Sequence, residues 1–354
     1  MPDVGPAPFP DDVPIVPLVV IDYGLIKRRE ISEIDKLWEA ATHSGFWYLK
    51  NYGPEEAIDG MFAMGEETMD LPLEEKMKFT QGTEGRSFGY KFAEANAVDE
   101  HGTPENVEYI NISREDALAW PDVVHRTYPE TVVARMENTI IPFVRQSMEV
   151  NGTLIDVLND KLGLPEGTLA GKHAPDMHSG SEARTIKSPK NQNVSDSKVL
   201  LGAHTDFGSL TFLHHRIIGG LQVMLPGSEE WKYVKPIPRH AICNIGDALH
   251  IFSGGILISS LHRVVPPPKA QAAHERWSVV FHSRPGDHVV LEALSEKSEA
   301  IAKAVATAPP GQSSIGSTAG EWYARRMKNR LLVNRKGRET YLASAGTEHN
   351  TSVY

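Results

Sequence analysis

Cysteine is almost missing from this chain: its 354 residues contain one, Cys243. No disulfide can therefore form within it, and a reducing, cytoplasmic setting is the simplest expectation. Basic residues are the minority among the charges, 36 Lys and Arg against 46 Asp and Glu, for a net charge of −10. That balance argues against general binding to nucleic acid or to an anionic membrane surface, both of which want a basic patch. Long apolar runs are absent too, and none approaches the roughly 18 residues that span a bilayer. The opening Met1-Pro2-Asp3-Val4-Gly5-Pro6 has neither the basic nor the apolar region of a secretory signal. No repeat, low-complexity tract or interdomain linker stands out. What is present is an ordinary globular composition, long enough to bury one large core.

Residues 1–14 are proline-rich and are expected to stay loose until they join a first strand over 15–22. Ile31, Ile34, Leu37, Trp38 and Ala41 recur at helical spacing and predict one helix over 25–42. Two more are predicted over 54–69 and 72–79. The longest apolar period, 129–163, predicts a scaffold helix with a kink or break at Pro142 or Gly152. Residues 82–111 show no clear period, with Arg86-Ser87-Phe88-Gly89-Tyr90 the best candidate for order, and 179–197 reads as polar loop around Arg184-Thr185-Ile186-Lys187.

From Lys198 the character changes. Glycine and proline turns separate short apolar runs over 199–201, 209–213, 220–225, 231–234, 241–245, 250–252, 261–265 and 276–283. Eight short strands at that spacing argue for a sandwich or barrel of the jelly-roll kind. Helical spacing returns over 292–304 and 319–334. The class expected is α+β in a single domain: an extension (1–14), an N-terminal α/β region (15–125), scaffold helices (126–178), a jelly-roll core (179–290), and C-terminal helices and tail (291–354).

The chemistry concentrates in Leu201-Gly202-Ala203-His204-Thr205-Asp206-Phe207-Gly208 and Ser260-Leu261-His262-Arg263-Val264. In a strand, residues i and i+2 share a face, so His204 and Asp206 project together and Thr205 points away. A buried aspartate is rare without a partner. Either the pair is simply hydrogen-bonded, or His262 completes two imidazoles and one carboxylate around a metal. That donor set leaves open positions and suits non-haem Fe(II), whereas catalytic zinc with similar donors keeps one open position on a tetrahedron. The other histidines, among them His214, His215, His240, His250, His274, His282 and His288, read as core or surface groups. A second i, i+2 pair, Arg276 and Ser278, has the form of a carboxylate receptor, because a guanidinium fork matches two carboxylate oxygens. Asp247, in Asn244-Ile245-Gly246-Asp247, is expected to serve a turn before a core strand rather than bind metal.

Gly202-Ala203-His204-Thr205-Asp206, Gly219-Gly220-Leu221-Gln222-Val223, Asn244-Ile245-Gly246-Asp247, Leu261-His262-Arg263-Val264 and Arg276-Trp277-Ser278 resemble the 2-oxoglutarate/Fe(II)-dependent dioxygenases. More narrowly they resemble the isopenicillin N synthase-like branch, which Pro17-Leu18-Val19-Val20-Ile21-Asp22 and Gly45-Phe46-Trp47-Tyr48-Leu49 match as well. The resemblance covers roughly residues 14–290. It implies a double-stranded β-helix core, Fe(II) at His204, Asp206 and His262, and 2-oxoglutarate held by Arg276 and Ser278. It also implies O2 as co-substrate, release of succinate and CO2, and hydroxylation, desaturation or ring closure of a small metabolite of specialised metabolism. Many plant members place a tyrosine before the first metal strand to help hold 2-oxoglutarate; the comparable Ile186-Lys187-Ser188-Pro189 has none. Aromatic candidates for the substrate pocket are Tyr90, Phe92, Tyr109, Phe207 and Phe212, with Trp322-Tyr323-Ala324-Arg325-Arg326-Met327 as a lid. The alternatives are an Fe(II)/O2 oxidase that uses no 2-oxoglutarate, and a non-catalytic jelly-roll binding protein. Nothing in the sequence sets the oligomeric state.

Overall fold

Alternating side chains build the centre of the molecule. The computed structural model describes residues 7–53, 55–190, 199–308 and 314–347. In chain order its strands begin with β1 (Val20–Asp22), β2 (Phe46–Lys50), β3 (Gly89–Lys91), β4 (Glu108–Ser113), β5 (Glu182–Ser188) and β6 (Leu201–His204). They continue with β7 (Leu210–His215), β8 (Leu221–Met224), β9 (Trp231–Tyr233), β10 (Ala241–Ile245), β11 (Leu261–Val264) and β12 (Arg276–Ser283). The last two, β13 (Val290–Glu292) and β14 (Ser314–Thr318), form a separate pair. Eight strands join in the order β1-β2-β10-β7-β12-β5-β4-β3, and four make a second sheet, β6-β11-β8-β9. Apart from β1 on β2, the ladders of both sheets are antiparallel.

On β12, Trp277, Val279 and Phe281 enter the main core, while Arg276, Ser278, Val280 and His282 line a cavity on the other face. The same division runs through β10, where Ala241, Cys243 and Ile245 face the core and Ile242 and Asn244 the cavity. Helices Glu56–Met69 and Ile141–Lys161 cover the core face, resting on β5 and β12. Residues of both sheets, among them Phe46, Tyr48, Leu221, Val223, Ile242 and Val264, close a second apolar cluster at one end of the cavity. This is the jelly-roll, α+β, single-domain arrangement expected from the strand spacing.

Several boundaries differ from the expectation. The run 250–252 is not a strand but part of the fully buried helix Asp247–Phe252; a short continuous apolar run carries no period that separates buried helix from buried strand. Asp247 therefore opens a helix rather than a turn into a strand. The helix expected over 25–42 is two, Tyr23–Lys27 and Ile31–His43, parted where Arg29 takes a positive φ of 58°. The scaffold signal over 129–163 breaks at a π-turn, Met136–Ile140. Pro142 then falls in the first turn of Ile141–Lys161, where its missing N–H costs nothing, and Gly152 causes no break. The first strand is shortened to β1, with Ile15 making one bridge to Tyr233. Residues 184–187, the exception in a stretch read as loop, belong to a full strand over Glu182–Ser188, whereas 191–197 and the first six residues of the extension lie outside the described residues. Among the described residues no helix is long and apolar enough to cross a membrane.

Candidate metal centre

His204 ends β6 and pairs across the ladder with His262 of β11, so the two imidazoles stand side by side with ring centroids 4.3 Å apart. Asp206, two residues beyond His204, turns its Oδ1 to 3.8 Å from Nε2 of each ring. That is too far for a hydrogen bond, and the three atoms lie within 4.8 Å of one another. Each atom is kept free by bonds made elsewhere. The Nδ1 of His204 meets the Gly202 carbonyl at 2.7 Å, and that of His262 meets the Ser260 carbonyl at 3.1 Å. With the proton on Nδ1, both Nε2 lone pairs face the centre. Thr211 Oγ1 (2.6 Å) and Asn244 Nδ2 (2.8 Å) donate to Asp206 Oδ2, leaving Oδ1 with no donor. Burial, reinforced by His262, pushes His204 well below the usual histidine range, so it stays neutral. Burial also works to raise Asp206, but the neighbouring imidazoles and the Asn244 amide outweigh it and hold the carboxyl well below its usual range. Two imidazoles and a carboxylate, all buried and converging on one point, fit a divalent cation.

The cavity beside this cluster has about 960 Å³ of non-atom space, its open mouth included. At one end lies Arg276, 3% exposed, with no acidic partner among the described residues. Its Nε donates to the Gly219 carbonyl at 3.0 Å. That carbonyl is presented by a turn in which Gly220 takes φ 115°, and a Cβ there would lie 2.7 Å from the Val265 carbonyl oxygen and 3.3 Å from Arg276 Cδ. Burial lowers the guanidinium to about 10, still a cation at neutral pH. Ser278 Oγ, on the same face of β12, is buried with no hydrogen-bond partner among the described residues. So is Ser188 Oγ, on the strand directly across, where Ser188 is the register partner of Arg276. A buried cation beside two orphaned hydroxyls fits a carboxylate. Ser188 stands in the segment that lacks the tyrosine, and its own type gave no signal.

Of the aromatic candidates, Tyr109 and Phe207 line the cavity, together with Met327 from the C-terminal helix Ala319–Arg330. Tyr90 does not: it faces the core, with its hydroxyl on Glu108. Phe92 is 40% exposed. Phe212 lies one residue from Thr211 and hence on the opposite face of β7, where it lines a separate small cavity with Tyr52 and His214. Trp322 packs into the core, and Tyr323 bonds Ser87 beside Glu182. The strand behind the ligand pair is braced from outside. Fully buried Asp247 accepts hydrogen bonds from Thr205 Oγ1 (3.1 Å), Ser259 Oγ (2.9 Å), Thr347 Oγ1 (2.6 Å) and the Arg326 guanidinium. Arg326 also donates to the Thr205 carbonyl and stacks on Phe207, 3.8 Å from the ring centre. Thr211, Asn244, Ser188 and Arg326 were not among the site residues that sequence reasoning selected. Asn244 lay inside a quoted motif, Ser188 in the segment that lacks the tyrosine and Arg326 in the lid segment, none with a role of its own, and nothing marked Thr211.

Residues 183–285 match the model of the 2OG-Fe(II) oxygenase superfamily, and residues 18–134 match that of the non-haem dioxygenase N-terminal region in morphine synthesis. A 2-oxoglutarate-dependent dioxygenase of Aspergillus fumigatus is 26% identical over 377 residues, covering 94% of both chains. Leucoanthocyanidin dioxygenase of Perilla frutescens is 30% identical over 272 residues, 74% of this chain and 70% of that enzyme. Among solved structures, a full-length Neurospora crassa protein in complex with alpha-KG and 5-formyluracil superposes with a TM-score of 0.71, at 22% identity, over 90% of this chain and 97% of that one. A likeness at that identity speaks to the fold.

Proposed function

Because this chain belongs to the 2OG-Fe(II) oxygenase superfamily, we propose that it hydroxylates, desaturates or cyclises a small, largely apolar metabolite of specialised metabolism. It is an oxidoreductase that uses Fe(II), 2-oxoglutarate and O2. In this reading His204, Asp206 and His262 are the iron ligands, and Arg276, Ser278 and Ser188 take the far carboxylate of 2-oxoglutarate. The observation that carries it is the convergence of two Nε2 atoms and one carboxylate oxygen, every competing hydrogen bond of which is made elsewhere. When bound, the iron and its co-substrates supply the oxidation of an unactivated C–H bond, with release of succinate and CO2.

The chain's own residues do the positioning. The Gly202 and Ser260 carbonyls fix the imidazole tautomers, and Thr211 and Asn244 fix the carboxylate. The apolar walls formed by Leu213, Leu221, Ile242, Val264 and Val280 keep water from the reacting end and shield the Arg276 cation from competing anions. Tyr109, Phe207 and Met327 contribute the substrate side of the cavity.

Anaerobic titration with Fe(II) tests the metal assignment: the wild type is expected to bind tightly, and His204→Ala and Asp206→Ala to lose that binding. Release of labelled CO2 from carboxyl-labelled 2-oxoglutarate, run against a panel of apolar metabolites with mass spectrometry for gained oxygen or lost hydrogen, tests the reaction. Iron-dependent oxidation of a panel compound that proceeds without 2-oxoglutarate would count against the proposed role of Arg276, Ser278 and Ser188.

A further inference from the structure

Four arginines line the cavity: Arg184, Arg276, Arg284 and Arg330. Arg184 donates to Asn111 Oδ1 at 2.7 Å and to Glu182 Oε1 at 2.6 Å, and stacks on Tyr109. Arg284 donates to the same Glu182 oxygen at 3.1 Å and to the Gly180 carbonyl, and stacks on Tyr323. Both guanidiniums are thus held on the one Glu182 carboxylate, with Arg284 Nε left without a hydrogen-bond partner among the described residues. Arg276 is assigned to 2-oxoglutarate.

Arg330 is different. It ends the helix Ala319–Arg330, and its guanidinium makes no hydrogen bond or ion pair with any described residue. The charged groups around it already have partners: Glu105 holds the Lys91 ammonium, Arg326 holds Asp247, and Arg184 holds Glu182. Its one described side-chain contact of note is Phe207, whose ring centre lies 5.4 Å from the guanidinium carbon. Burial lowers its pKa, and Glu105 opposes that shift, but an arginine stays protonated in proteins. Arg330 is partly exposed, and a cation partly withdrawn from water is ordinarily matched by an opposite charge. Beside it, Asn96 lines the same cavity, 3% exposed, with its side-chain oxygen lacking a hydrogen-bond partner among the described residues. The Asn96 backbone bridges to Leu331, so it moves with the end of the Arg330 helix.

The loaded site makes the imbalance sharper. Fe(II) brings two positive charges, Asp206 one negative, 2-oxoglutarate two negative and Arg276 one positive, so that set is neutral. Arg184 and Arg284 share the one Glu182 carboxylate, and Arg330, alone of the cavity arginines outside that set, has no carboxylate among the described residues and faces the space left for substrate. A single planar fork pairs best with a carboxylate, whereas a phosphate ester carries more charge and calls for more donors than this wall offers. We propose that the substrate is a hydrophobic carboxylic acid whose carboxylate pairs with Arg330, with Asn96 reading a second polar group and Phe207, Tyr109 and Met327 packing on its apolar body. This rests on the assignment of His204, Asp206, His262 and Arg276 above.

The test uses the full-length protein loaded with redox-inactive Mn(II) and saturated with 2-oxoglutarate, so that Arg276 is occupied and no turnover occurs. Benzoate and phenylacetate are titrated calorimetrically beside benzamide and phenylacetamide. At least one acid is expected to bind about 10- to 100-fold tighter than its amide, and that preference to vanish in Arg330→Gln and to survive in part in Arg330→Lys. Retained Mn(II) and 2-oxoglutarate binding by both variants shows that they fold. Equal binding of acid and amide, no binding of either acid, or an acid preference unchanged in Arg330→Gln would each overturn the inference. If the wild type fails to take up Mn(II) and 2-oxoglutarate, it is the assignment of the metal and co-substrate residues that fails instead.

Discussion

Ser188→Ala should act with opposite sign on the empty and the loaded site. Without 2-oxoglutarate the Ser188 hydroxyl is fully buried and has no hydrogen-bond partner among the described residues. Burying such a group costs about 1–3 kcal/mol, so its removal should leave the unliganded protein as stable as before or more so. With 2-oxoglutarate bound, the same hydroxyl is the register neighbour of Arg276 and can donate to the carboxylate held there. A hydrogen bond to a charged group contributes about 1.5–3 kcal/mol, so the variant's Kd for 2-oxoglutarate is expected to rise about 10- to 150-fold. The assay is titration of 2-oxoglutarate into Mn(II)-loaded protein, paired with thermal unfolding in its absence and presence. At a concentration about 100 times the wild-type Kd, the ligand adds roughly 2.7 kcal/mol of stability; about half of that should be missing in the variant for a tenfold loss of affinity, and nearly all of it for a roughly 150-fold loss. Ser278→Ala should follow the same pattern, since its hydroxyl is orphaned on the same wall. A Kd within twofold of wild type, or an unliganded variant that melts lower, would refute the role given to Ser188.

Two further effects concern the frame around the site. Asp247 and Arg326 are both fully buried and pair with each other, so Asp247→Asn leaves a cation without its counter-charge, at a cost of about 3–5 kcal/mol. A clear fall in melting temperature and weaker Fe(II) binding are expected, because Thr205, between the two ligands, loses its outer support; pairing the change with Arg326→Met should recover part of the stability. Glu182 answers to pH. Burial works to raise its carboxyl, but Arg284 and Arg184 outweigh that and hold it at about 2 in the folded protein against an ordinary 4.5. A folded value below the unfolded one means stability that is fully present above about pH 4.5 and is lost as pH falls toward 2. Glu182→Gln should flatten the acid side of a urea-midpoint series taken from neutral pH down to about pH 3, and an unchanged slope would show that Glu182 does not supply it.

Period-two alternation made much of the site legible. His204 with Asp206, and Arg276 with Ser278, could be placed on common faces before any neighbour was known, and both pairs do line the cavity. The run of short strands likewise pointed to the jelly roll. Alternation does not say which face of a strand turns inward, since that depends on its partner in the sheet. Phe212 and Tyr90 were selected for being aromatic, and both turned out to lie on the core face, with Phe212 one residue out of step with Thr211 and Leu213. Ser188 and Asn244 lie on the cavity face but belong to types common in any loop, so only their cross-strand neighbours give them meaning. The run 250–252 failed for a related reason: an unbroken apolar stretch has no period to read.

The C-terminal helix shows where sequence spacing stops being informative. Trp322, Arg326 and Arg330 fall four residues apart, so they lie along one side of the helix, and the two arginines are alike in type and in face. What separates them is the neighbour each one meets. Arg326 reaches Asp247 and becomes a brace for the segment that carries His204 and Asp206. Arg330, one turn on, reaches the cavity and finds Glu105 already held by Lys91. The difference between a structural cation and one available to a ligand therefore lies in which carboxylates are already taken. That is a property of the folded neighbourhood, which neither residue's identity nor its spacing encodes.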